Sequence, residues 1–66
     1  MTLRINGEQR EIQGAASIRE LIATLALPPE AVLVEHNGAA LFKNEWDART
    51  LNDGDKIEII RVVAGG

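Results

Sequence analysis

The chain has no cysteine and no tyrosine, and among its 66 residues stand one phenylalanine, one tryptophan, one histidine and two prolines. Without cysteine there is no disulfide scaffold, no thiolate metal site and no cysteine nucleophile. With a single histidine, His36, there is no second imidazole to complete a metal site. Long apolar runs are missing too: none approaches the roughly 18 residues of a membrane span. An excess of positive charge is also absent, since Lys plus Arg is 7 against Asp plus Glu at 10, a formal charge of −3. That excludes nucleic-acid binding by bulk charge, which requires a basic surface. The first residues, Met1-Thr2-Leu3-Arg4-Ile5, show no basic segment followed by an apolar h-region, so the expectation is a cytoplasmic protein without a signal peptide. Length bounds the rest. Sixty-six residues make a single domain, 1–66, whose core supplies about 3–5 kcal/mol of net stability and has little room for a pocket of about 300 Å³ or more. A free-standing enzyme is disfavoured, and function is expected at the surface or at a terminus.

What is present alternates in a readable way. Leu3 and Ile5 alternate with Thr2, Arg4 and Asn6, which predicts a strand with one buried face. Asn6-Gly7 is a hairpin signal, because both residues tolerate positive φ. The predicted return strand runs over 8–13, anchored by Ile12 and otherwise polar, as suits a protected sheet edge. Ser17-Ile18-Arg19-Glu20 reads as a capping box, with Ser17 Oγ on the Glu20 amide and the Glu20 carboxylate returning to the Ser17 amide. Ile18, Leu21, Ile22 and Leu25 then form one helical face, and a helix of about ten residues is expected to stop at Pro28-Pro29. Further strands are predicted over 31–35, 39–42 and 56–63, with a turn at Asn37-Gly38, a helical turn within 43–49 and a turn at Leu51-Asn52-Asp53-Gly54-Asp55. Residues 63–66 are expected to leave the sheet as a flexible tail. Hairpin, helix and further strands over one face predict a two-layer α+β fold, a ubiquitin-like β-grasp with a mixed sheet of four or five strands.

The chemistry-bearing features are few. On the last strand Ile57, Ile59 and Arg61 share one face, while Glu58, Ile60 and Val62 share the other. One helix covers one side of a sheet, so Ile60 and Val62 are expected to form an exposed docking patch. His36 reads as a structural or surface residue, Asp53-Gly54-Asp55 as a turn rather than a calcium loop, and Trp46 as the cap of a small core in preference to a partner anchor. Gly65-Gly66 follows the strongest strand. Glycine averages about 7% of residues, so a random Gly-Gly end occurs in roughly 0.5% of chains. Lacking Cβ atoms, such a tail can thread a narrow channel and present the Gly66 carboxylate to another protein's active site. Val62, Val63 and Ala64 keep its approach uncharged.

Taken together, Asn6-Gly7, Ser17-Ile18-Arg19-Glu20-Leu21, Val34-Glu35-His36-Asn37-Gly38, Trp46, Leu51-Asn52-Asp53-Gly54-Asp55 leading into Ile57-Glu58-Ile59, and Arg61-Val62-Val63-Ala64-Gly65-Gly66 resemble the small sulfur-carrier family of thiamin-thiazole biosynthesis, ThiS. The resemblance covers essentially the whole chain. It implies that Gly66 is adenylated by a ThiF-like activating enzyme that uses ATP and magnesium, neither bound by this chain. It further implies that a sulfur donor such as a cysteine desulfurase converts the adenylate to a thiocarboxylate, and that thiazole synthase takes the sulfur. In this reading Gly66 carries the chemistry, Ala64 and Gly65 thread the active site, and Ile60, Val62 and Val63 meet the partner. The chain itself would be a carrier rather than an enzyme, a monomer when free, with no metal, nucleic-acid or membrane partner. The molybdopterin-synthase small subunit ends in a similar segment, and a ubiquitin-like modifier conjugated through Gly66 shares the Gly-Gly end. Both remain as alternatives.

Overall fold

A computed structural model describes residues 1–62. Strand β1 (Thr2–Ile5) turns through Asn6 and Gly7, at φ of 50° and 83°, into β2 (Glu8–Glu11). Ile5 faces Glu8 across the turn, so the loop has two residues and needs no bulge. β2 stops short of the predicted 8–13. The Ile12 amide donates to the Met1 carbonyl, and the Ile12 side chain then turns into the core. A second two-residue turn, Asn37-Gly38, joins β3 (Val32–His36) to β4 (Ala39–Leu41), with Asn37 and Gly38 at φ of 50° and 87°. The final strand, β5 (Lys56–Arg61), pairs parallel with β1 and antiparallel with β3, giving the order β2-β1-β5-β3-β4. This is the expected β-grasp with five strands, although β3 starts and ends one residue later than predicted and β4 ends one residue earlier.

Helix α1 (Ile18–Thr24) has seven residues rather than ten, and it ends before the prolines. Leu25 closes it and Ala26 adopts φ of 58°. The Ala26 amide donates to the Ala23 carbonyl at 3.0 Å and the Leu27 amide to the Ile22 carbonyl at 3.1 Å. These two bonds form a Schellman stop. Pro29 instead opens a 3₁₀ turn, Pro29–Ala31, that leads into β3. Alanine in the left-handed region costs about 1–2 kcal/mol, a cost glycine avoids. Ala26→Gly is therefore expected to stabilise the protein by about 1 kcal/mol, read as a rise in the urea midpoint with the denaturant slope unchanged. A lower midpoint would refute this account of the helix stop.

Ile18, Leu21 and Ile22 lie buried in one cluster with Leu3 and Ile5 of β1, Val32 and Val34 of β3 and Ile57 of β5. A helix this short is marginal in isolation, so packing on the sheet holds it. Its first amides find partners in the chain that follows β4. The Ile18 amide donates to the Arg49 carbonyl at 3.1 Å and the Arg19 amide to the Trp46 carbonyl at 3.3 Å. Glu20 N–H donates to Ser17 Oγ as predicted, but the Glu20 carboxylate takes the Ala16 amide at 2.7 Å rather than that of Ser17. Trp46 follows a second 3₁₀ turn, Lys43–Glu45, and is fully buried, with the Arg19 guanidinium stacked 5.2 Å above its ring. Its role is core packing, not partner anchoring. Arg19 also reaches Asp47 Oδ1 at 2.7 Å and the Lys43 carbonyl at 3.1 Å, which ties this segment to the helix.

Candidate functional site

The residues the sequence singles out lie along β5 and just beyond it. β1 ends at Ile5 while β5 continues to Arg61, so the upper half of β5 lacks a strand partner on that side. The side chain of Asn6 replaces one. Its Oδ1 accepts the Ile59 amide at 2.7 Å and its Nδ2 donates to the Ile59 carbonyl at 3.1 Å. On the other side β3 pairs with β5 as far as Val32–Arg61, and the Val62 amide then donates to the Ala31 carbonyl at 2.7 Å. The chain is thus held by the sheet through Val62. β5 ends at Arg61, so Val62 lies past the strand rather than within it as predicted, while Val63, Ala64, Gly65 and Gly66 lie outside the described residues.

The two faces of β5 differ as expected. Ile57 is fully buried beneath the helix and Ile59 half-buried at its edge. On the opposite, open face Ile60 is 53% exposed and Val62 47%. Two further residues join them that the sequence did not flag. Leu33 is the cross-strand partner of Ile60 and is 57% exposed, and Phe42, just past β4, is 78% exposed. Leu33, Phe42 and Ile60 line a shallow groove of about 270 Å³. The period-2 pattern of β3 could have exposed Leu33, because Val32 and Val34 flank it and both are buried. Phe42 carries no such signal, since its position depends on where β4 ends. Exposed apolar side chains grouped this way make this face a candidate interaction surface.

At the other end of β5, His36 and Asp55 form a buried pair. His36 Nε2–H donates to Asp55 Oδ2 at 2.7 Å. The same carboxylate accepts the Asn52 amide at 2.9 Å and Asn37 Nδ2 at 3.1 Å. Asn37 Oδ1 in turn accepts the Lys56 amide at 2.8 Å. No hydroxyl nucleophile joins this network among the described residues, so it is a structural brace that pins the β3–β4 turn to the start of β5. Burial pushes the Asp55 carboxyl upward, but the hydrogen bonds from His36, the Asn52 amide and Asn37 outweigh it and hold the group below its ordinary value of 3.8. A carboxyl depressed in the folded state stabilises the fold above its unfolded pKa, and that contribution is lost as pH falls through the folded pKa. Stability is therefore expected to decline as pH drops to 3.8 and below. Asp55→Asn should be less stable at neutral pH and flatter in that acid range. Equal acid slopes in urea titrations of the two proteins would contradict the assignment.

Among the described residues no group of three or more His, Cys, Asp or Glu is placed to hold a metal ion, and no helix is long and apolar enough to cross a membrane.

A family model described as the ThiS family matches residues 3–66. Thiazole synthase of Paramagnetospirillum magneticum is 35% identical over 66 residues, which is all of this chain and 20% of that protein. The chain thus spans about one-fifth of the length of the curated thiazole synthases it matches. Sulfur carrier protein ThiS of Thermus thermophilus is 31% identical over 62 residues, covering 94% of this chain and 95% of that one. The crystal structure of a thiamine biosynthesis protein (ThiS) from Geobacter metallireducens superposes with a TM-score of 0.83 at 38% identity and covers both chains completely.

Proposed function

This chain belongs to the ThiS family, and we propose that it carries sulfur in thiamine biosynthesis on the carboxylate of Gly66. The observation that supports this best is the match over 94% of the chain to a sulfur carrier and over all of it to a ThiS structure of the same fold. A glycine carboxylate is a poor electrophile until its oxygen becomes a good leaving group. In the proposed sequence a ThiF-like enzyme transfers AMP from ATP to the Gly66 carboxylate, with release of pyrophosphate. The terminal sulfur of a persulfide, from a donor such as a cysteine desulfurase, then attacks the carbonyl carbon and displaces AMP to give an acyl disulfide. Its S–S bond is cleaved by a reducing thiol that ends as a disulfide with the donor cysteine or a second thiol. The product, a thiocarboxylate, is a soft nucleophile whose sulfur passes to the thiazole synthase reaction, and the carrier leaves with an ordinary carboxylate. ATP and its magnesium sit on the activating enzyme.

This chain's own part is presentation. Ala64 and the two glycines offer little bulk to a narrow active site. The sheet supplies a rigid base, because Asn6 clamps Ile59 and the Ala31 carbonyl holds Val62. The exposed Ile60 and Val62 give the partners a surface to grip, and Val63 follows them in the sequence. Incubation with ATP, the activating enzyme and a sulfur source is expected to raise the intact mass by the difference between sulfur and oxygen. An unchanged mass with an activating enzyme shown to turn over would overturn the carrier reading. Isopeptide-linked ladders on cellular proteins would point instead to a modifier joined through Gly66.

A further inference from the structure

The open face of the sheet combines an apolar groove with a pair of like charges. Glu35 on β3 and Glu58 on β5 are direct cross-strand partners, one step along the ladders from Leu33 and Ile60 on the same face. Directly opposed residues hold their Cβ atoms about 4.5–5.5 Å apart, and like charges there destabilise the sheet. Both side chains are half-buried. Among the described residues neither carboxylate takes part in an ion pair, since these join Met1 to Glu11, Arg19 to Asp47 and His36 to Asp55. Lys56 shares the face and stands beside Arg4 in the parallel register, yet neither pairs with the two glutamates, and the Arg4 guanidinium donates to the Gly7 carbonyl. On its other side Glu35 faces the small Ala40, which leaves the carboxylate open to an approaching group. Glu35 also lines the groove with Leu33, Phe42 and Ile60, and its cross-strand partner Glu58 stands next to it at the groove's edge.

We infer that this groove and the Glu35–Glu58 pair form one docking surface, and that its occupant is a thiazole synthase presenting a guanidinium or ammonium group set among apolar side chains. Covering two like carboxylates with an apolar surface would be strongly unfavourable unless the partner supplied a cation between them. The apolar side chains of the partner then fill the groove against Leu33, Phe42 and Ile60. Thiazole synthase is the partner because relatives of that name contain the equivalent of this whole chain within a single longer one. The inference rests on the carrier reading above, and it adds which residues recognise the partner and by what charge. A stability cost carried on an open face and relieved by a partner also explains why the pair has no internal cation.

Binding of the full chain to the thiazole synthase of the same genome tests this, at low salt and at high salt. Glu35→Gln/Glu58→Gln is compared with Glu8→Gln/Glu30→Gln, which removes the same net charge from exposed positions outside the groove. The first variant should bind about tenfold more weakly or worse at low salt, lose most of the salt dependence, and melt no lower than the parent. The control should bind as the parent does. Equal affinities for the two variants, no binding by the parent, or an affinity loss that follows a lower melting temperature would each overturn the inference. The carrier reading is judged separately, by the mass gain at Gly66 with the activating enzyme, so its failure is distinguishable.

Discussion

A chain that stops at Gly65 is expected to take up no measurable sulfur while folding as well as the parent. Shortening the tail withdraws the carboxylate by about 3.5 Å. A misplacement of about 1 Å at a reacting centre can cost about a hundredfold in rate. One alanine added after Gly66 should have the same effect, because it moves the carboxylate off glycine and places a methyl group where the channel was expected to admit none. Stability should not change, since among the described residues the buried hydrophobic core runs from Leu3 to Ile57. Loading is read by intact mass and folding by thermal melting. A shortened chain that still gained sulfur would show that the carboxylate position is not what the activating enzyme selects. A large fall in melting temperature would show that the tail contributes to the fold.

Trp46→Ala should have the largest effect on the fold. Trp46 is the largest of the fully buried side chains, and its carbonyl accepts the Arg19 amide at the start of the helix. Truncating such a residue to alanine costs about 3–5 kcal/mol. A domain of this size has about 3–5 kcal/mol of net stability from its core, so the variant is expected to be largely unfolded at 37 °C. Trp46→Phe should cost much less. The indole Nε1 is buried without a hydrogen-bond partner among the described residues, so phenylalanine gives up no bond and leaves only a smaller void. Circular dichroism melts of the two variants check this, and similar losses for both would mean that the N–H has a partner after all. Because unfolding removes the docking surface together with the core, loss of binding in Trp46→Ala would say nothing about recognition.

Legibility in the sequence followed the range of the interactions. The two Asn-Gly turns, the Ser17 cap and the alternating strands were predictable because each depends on residues within a few positions of one another. The helix end was misplaced because Pro28-Pro29 is a strong stop signal, whereas a left-handed alanine at position 26 carries no signal of its own. Asn6 and Asn37 were readable as turn formers, but not as clamps on β5, because their partners lie 53 and 19 residues away. Asp55 read as one more turn residue. Its pairing with His36 exists because β3 and β5 are neighbours in the sheet.

By itself the sequence determined the β-grasp class, the family, the unlike faces of the last strand and the Gly65-Gly66 end, since each is written in local spacing or in a contiguous motif. Tertiary structure alone decided which side chains share a surface. Leu33, Glu35, Phe42, Glu58 and Ile60 come from three separate stretches of chain. They meet because β5 inserts between β1 and β3, which sets Glu35 against Glu58 and Leu33 against Ile60. No tight turn joins β3 to β5, so their register is set by long-range pairing and by which faces pack on the core, not by a local turn motif of the kind that fixes the two hairpins.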